Sequence, residues 1–181
     1  MIGFLARRMI DAMERHLNSD LSYLRALRSA SPRGFDKFFR ATALSRHREV
    51  VSPEVSHAAR LTSLVFEDCG PCVQIAIDQA LTAGMEKATI RAILAADTAR
   101  MPEDLALAHR FARSILMRSA DLDDLREAVR KRWNYGGVVD LTMATQGSRI
   151  YPMLKLGLGF AQSCHQVSVG SEQVVPTTQI P

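Results

Sequence analysis

Apolar residues recur at three- and four-residue spacing along almost the whole of this 181-residue chain, a period that belongs to amphipathic helices and excludes most strand architectures. The first segment places Phe4, Leu5, Met9, Met13 and Leu17 on one side, with Arg7, Arg8, Asp11 and Glu14 elsewhere, and is expected to end near Asn18. Leu21, Leu24 and Leu27 mark a second short helix, broken at Ser31-Pro32-Arg33-Gly34. Phe35, Phe38, Phe39 and Leu44 mark a third, closing in Ser45-Arg46-His47-Arg48. Ser52-Pro53-Glu54 has the order of a helix start: a Ser N-cap, Pro at the first helical position and an acid in the first turn. That helix runs through Leu61, Leu64 and Val65 to Glu67-Asp68. Residues 69–83 continue the period through Val73, Ile77, Ala80 and Leu81, with Gly84 as C-cap.

Beyond that point Ile90, Ile93 and Leu94 mark a helix ending near Asp97, and Pro102-Glu103-Asp104 opens one bearing Leu105, Ala108, Ala112, Ile115 and Leu116. Asp121 caps a helix to Trp133. Gly136-Gly137 separates it from a last helix reaching about Cys164, which Pro152 is expected to kink or interrupt. The tail, residues 166–181, lacks a period and is expected to be disordered or draped on a partner. The chain therefore reads as all-α, in three parts: a helical extension at 1–50 within the same compact unit, a helical domain at 51–165, and a flexible tail at 166–181.

Composition narrows the classes. Ten Gly, seven Pro and three Cys exclude collagen-like, low-complexity and disulfide-stapled chains. The net charge of +4 hints at a nucleic-acid or membrane partner, but it is local. Residues 1–50 carry ten basic and five acidic side chains, and residues 51–181 carry thirteen and fourteen. No stretch reaches the roughly 18 apolar residues of a membrane span, and the start has its charges after its apolar residues, the reverse of a secretory signal. A cytoplasmic protein is expected.

The chemistry concentrates at Cys69-Gly70-Pro71-Cys72. Two cysteines this far apart at a helix start can close a disulfide of one turn, and the helix dipole with its unpaired N–H groups favours the reactive thiolate. Glu67 and Asp68 would raise a neighbouring thiol's pKa, yet either could accept its proton. Cys69, nearer the helix tip, is expected to be the more exposed sulfur and the one that exchanges with an external reductant. Two alternatives stand beside this reading. A zinc site would need Cys164, His165 and His57 to complete it, and an inert buried pair would be purely structural. Cys-Gly-Pro-Cys is also the thioredoxin signature, but that site follows a strand, and here the preceding residues have a helical start and period.

A helix leading into C-x-x-C, then a second helix and a Gly-terminated turn, resembles the core of the AhpD-like alkylhydroperoxidases, within the wider carboxymuconolactone decarboxylase family. The residues that carry the resemblance are Glu67 to Cys72 and Asp78 to Met85, continuing through Ile90–Leu94, the helix after Pro102 and, more faintly, Lys155-Leu156-Gly157-Leu158. The resemblance covers roughly 50–160. It implies an all-helical homo-oligomer that reduces hydroperoxides or disulfides, with Cys72 attacking the peroxide, Cys69 resolving it as a disulfide and a thiol donor restoring the pair. It implies no cofactor. The family's glutamate about twelve residues before the first cysteine is His57 here, and its two histidines are replaced by Pro71 and Ala76. Glu67 and His57 remain as the local candidates for a proton relay. A reading from another class is a non-catalytic helical oligomer with structural cysteines.

Other features are blander. The first helix is basic and amphipathic and is expected to pack on this chain or a sister subunit rather than on a membrane. Arg46-His47-Arg48 and Arg130-Lys131-Arg132 lack any nucleic-acid motif beside them and read as solvated helix ends. Cys164 is a third thiol of unassigned role.

Overall fold

The computed structural model describes residues 2–163 and 166–177, with side chains from residue 7 onward. Eight α-helices and one two-stranded sheet make up these described residues: α1 (Ile2–Leu17), α2 (Ser22–Ala30), α3 (Pro32–Ala41), α4 (Pro53–Phe66), α5 (Gly70–Thr82), α6 (Lys87–Leu94), α7 (Glu103–Met117), α8 (Leu122–Gly157), β1 (Val167–Val169) and β2 (Glu172–Val174). Single turns of 3-10 helix at Thr42–Arg46 and Thr98–Arg100 complete the chain path. The protein is all-α, 73% helical.

Local chemistry explains most boundaries. The Ser52 hydroxyl accepts from the Val55 N–H at 3.3 Å with Pro53 in the first turn, and Ser31 does the same for Gly34 at 3.1 Å. Ser31-Pro32 therefore ends α2 and at once opens α3. Gly84, at φ +90°, supplies the left-handed residue after α5.

Three expectations need correction. Pro152 does not interrupt α8, whose backbone angles stay helical there. They fail instead at Trp133 and Asn134, the latter at φ 54°. The Asn134 side chain then accepts from the Gly136 N–H at 2.6 Å and restarts the helix, so the break lies just before the glycine pair. The helix also stops at Gly157, well short of Cys164, because Gly159 turns left-handed at φ +78° and the Phe160 N–H closes on the Lys155 carbonyl at 2.8 Å. The tail, expected to lack structure, forms a hairpin against its own chain where it is described. Val167 pairs with Val174 in an antiparallel hairpin turned at Gly170 (φ +68°). Gln74 of α5 bonds both the N–H and the carbonyl of Ser168, at 2.7 and 3.1 Å, while Val167 and Val169 enter the core. Residues 178–181 lie outside the described residues.

Two apolar cores result. The main one gathers α4 through α8 and β1, with Leu61, Ile77, Phe111 and Leu141 sealed from solvent. Helix α4 is buried on nearly every face from Val55 to Val65, as a central helix must be. The smaller core, Ile10, Leu21, Tyr23, Leu24 and Phe35, joins α1, α2 and α3, with Leu154 and Phe160 packed against it. The first helix thus packs on its own chain through Ile10, Met13 and Leu17; Phe4 and Leu5, which were also expected on that face, lie outside the described side chains.

The two units are joined through one face of α8. The Asp140 carboxylate, 1% exposed, accepts from three successive backbone N–H groups, Glu49 (3.0 Å), Val50 (2.7 Å) and Val51 (3.1 Å). Two turns on, Gly147 meets the Thr42–Arg46 turn so closely that a Cβ would lie 2.3 Å from the Ser45 nitrogen. Asp140→Ala leaves three backbone donors without their acceptor, that of Val51 buried, and is expected to cost roughly 2–4 kcal/mol, read as a lower urea midpoint. Gly147→Ala, whose added methyl meets backbone rather than a movable side chain, is expected to loosen the same joint. Limited proteolysis between residues 42 and 52 checks it: cleavage no faster than wild type defeats the assignment.

Candidate functional site

Cys69 is the N-cap of α5 and Cys72 lies in its first turn. Their sulfurs form a disulfide, with Cα atoms 5.3 Å apart. Both residues are buried, Cys69 at 3% and Cys72 at 7% exposure. The expectation that Cys69 would be the exposed sulfur is therefore corrected. The chain beyond α8 passes over this end of α5, where the Gln162 carbonyl accepts from the Gly70 N–H at 3.2 Å.

Glu67, the C-cap of α4, is nearly buried and engaged, its Oε1 accepting from Nε of Arg149 on α8. Arg149 in turn lies over the Phe66 ring, 6.0 Å from its centroid. His57 belongs elsewhere. Helices α4 and α5 form an antiparallel hairpin, shown by the 2.7 Å bond from Arg60 Nη2 to Gln79 Oε1. Cys72 is therefore level with the Glu67 end, and His57 stands ten residues back, about 15 Å along the axis. Its ring is buried with no partner at Nδ1. The fold thus brings Glu67 to the cysteine end of the hairpin and keeps His57 away from it. Pro71 and Ala76 lie on α5 itself, Pro71 stiffening its first turn and Ala76 one turn beyond Cys72.

Cys72 forms part of the wall of a cleft of about 480 Å³ between the two units. On the core side it is lined by Arg60, Leu64, Ile75, Ala76 and Gln79; α8 contributes Ser148, Tyr151 and Lys155, and the extension adds Tyr23, Phe38, Phe39 and Arg46. The volume lies within the usual range for small-molecule sites, roughly 300–1,000 Å³. Burial depresses the pKa of both Arg60 and Lys155.

Arg60 and Tyr151 were not singled out from the sequence, and Lys155 entered only through the fainter end of the family resemblance. Arg60 offered one signal, as the sole Arg or Lys in the run 55–65. Lys155 offered another, four residues after Tyr151 and so on the same helical face. The zinc alternative required Cys164 and His165, which lie outside the described residues; among the described residues no three His, Cys, Asp or Glu side chains converge on a metal position. Likewise no described helix is long and apolar enough to cross a membrane. Compared with protein-family models, curated proteins and solved structures, the chain finds no match.

Two histidines are buried at α4, His57 on the helix itself and His109 on α7 beside it. Burial, then Arg60 and Arg48, pushes His57 down to about 4, and burial with Arg113 does the same to His109. The Thr62 hydroxyl donates to the Ala58 carbonyl at 2.7 Å, so His109 Nδ1, also 2.7 Å away, carries the proton between them. Both rings are neutral in the folded state where the unfolded ones, near 6.5, begin to protonate. The unfolded chain then binds more protons, so stability rises with pH. The contribution is complete above about 6.5 and is lost as pH falls toward 4. Urea midpoints measured from pH 7.5 to 4.5 are expected to fall through this window, and less steeply in His109→Gln; an unchanged slope would contradict the assignment.

Proposed function

We propose that this protein is an AhpD-like thiol oxidoreductase that reduces hydroperoxides through Cys72 and Cys69. The observation that carries the reading is a C-x-x-C pair at the start of α5 whose second cysteine lies in the wall of a small-molecule-sized cleft. The first turn of a helix favours the thiolate. The Cys72 thiolate attacks the outer peroxide oxygen; the O–O bond breaks and the alkoxide leaves, taking a proton to become the alcohol. The resulting Cys72 sulfenic acid is attacked by the Cys69 thiolate, the S–O bond breaks, water leaves and the Cys69–Cys72 disulfide closes. An external dithiol then reduces that disulfide by exchange, supplying two electrons and two protons. Glu67 is the carboxylate positioned at this end of the hairpin, and His57 is given no role. We propose a homo-oligomer, as the family resemblance implies, and a cytoplasmic location, as expected from the sequence.

A second reading is favoured by one observation, the burial of both cysteines beneath the chain around Gln162. In it the disulfide is a structural staple of a non-catalytic helical oligomer. Thiol counting separates the two. Protein reduced to three thiols and treated with one equivalent of tert-butyl hydroperoxide is expected to retain one, with mass mapping linking Cys69 to Cys72. Cys69→Ser is expected to accumulate a dimedone-reactive sulfenic acid at Cys72. If both thiols stay reduced while the helical circular dichroism is intact, the peroxidase reading fails and the staple stands.

A further inference from the structure

We infer that the cleft beside Cys72 binds an organic carboxylate with an apolar body, its charge held by Lys155 and Arg60. The inference rests on the peroxidase reading for its catalytic meaning, and names the substrate class as the hydroperoxide of such an acid.

The argument starts from two cations in an unusual place. Lys155 is 5% exposed, and its ammonium lies 4.9 Å from the Tyr23 ring centroid. Asp20 acts on it through space, but among the described residues no carboxylate forms an ion pair with it and no acceptor receives its protons. Arg60 spends one nitrogen on the neutral Gln79 side chain, while its buried Nε has no partner. Arg46 adds a third positive side chain to the lining, and not one lining residue is Asp or Glu. Buried charges are ordinarily paired, because an unpaired one forfeits its hydration without return. An anion in the cleft supplies the missing partner, whereas a neutral molecule leaves both charges uncompensated. Much of the remaining wall, with Leu64, Ile75 and Phe38, is apolar and would be left against water by a bare inorganic ion. Cationic and apolar walls together select a molecule with both parts.

Decanoate is a suitable probe because it carries no O–O bond, so its binding does not depend on thiol chemistry. Calorimetric titration of the disulfide form at pH 7.5 is expected to show decanoate binding at least about tenfold tighter than decanol, since a buried hydrogen-bonded charge pair is commonly worth that or more. Inorganic phosphate is expected to compete poorly. Lys155→Met and Arg60→Met are each expected to weaken decanoate about tenfold, and Lys155→Arg to retain most of the affinity, with unchanged helical circular dichroism verifying the fold of each. Decanol binding as tightly as decanoate, phosphate competing as well as decanoate, or charge removal without effect would each overturn the inference. Thiols that ignore peroxide in a protein that binds decanoate would sink the redox reading alone. Thiols that oxidise in a protein blind to decanoate would sink the ligand class alone.

Discussion

A single buried carboxylate holds the two halves of this molecule in register. Asp140 gathers three consecutive backbone N–H groups of the segment 49–51, just where the chain leaves the extension and enters the main core. A segment like this has no helix or sheet to satisfy its amides, and where it turns inward at Val51 a donor left unpaired would be costly. With the carboxylate in place the chain can pass from the exposed Val50 to the buried Val51 with its amides satisfied. Ser52 then caps α4 at a fixed position, and α4 in turn fixes the hairpin that carries Cys69 and Cys72. The cleft exists because the extension is seated by this joint and by Gly147 instead of lying fully against the core.

Asp140, Gly147, Tyr151 and Lys155 recur at seven-, four- and four-residue spacing, so one stripe of α8 serves the joint and the cleft in succession. Arg149, on a different face, reaches Glu67 at the cysteine end of the hairpin. The same helix therefore connects the extension, the cleft wall and the carboxylate beside the thiols. The burial of Lys155 follows from the same placement. Its stem is held along the stripe, and its ammonium is left facing the Tyr23 ring, with Asp20 acting on it through space but not hydrogen-bonded to it.

The helices were readable where side chains act on their own backbone. Ser52-Pro53 and Gly84 gave boundaries by local chemistry, and the apolar period gave the interiors. What escaped reading depends on distant partners. The hairpin at Val167–Val174 has three-residue strands, too short for alternation to register, and it is stabilised by Gln74, far away in sequence. The helix break at Asn134 arises from a left-handed residue rather than from the glycines beside it, and Pro152 is tolerated within a packed helix. In the site, the cysteine pair stood out by spacing. Its depth did not, because burial comes from the chain near Gln162 folding back. His57 matched a family position by counting, yet helix geometry separates it from the sulfurs. Asp140 looks like an ordinary surface residue in one dimension, and the weak signals at Arg60 and Lys155 acquire meaning only from what surrounds them.

The stripe on α8 also constrains how such a chain can vary in length. Each residue inserted into a helix rotates everything beyond it by about 100°. One insertion between Asp140 and Lys155 would therefore turn the joint and the cleft wall away from each other, however conservative the added residue. The break at Trp133–Asn134 decouples the first part of α8 from this requirement, because a non-helical residue pair can absorb a change of register. Length changes in a lineage of such proteins should collect before Asn134 and avoid the turns after it.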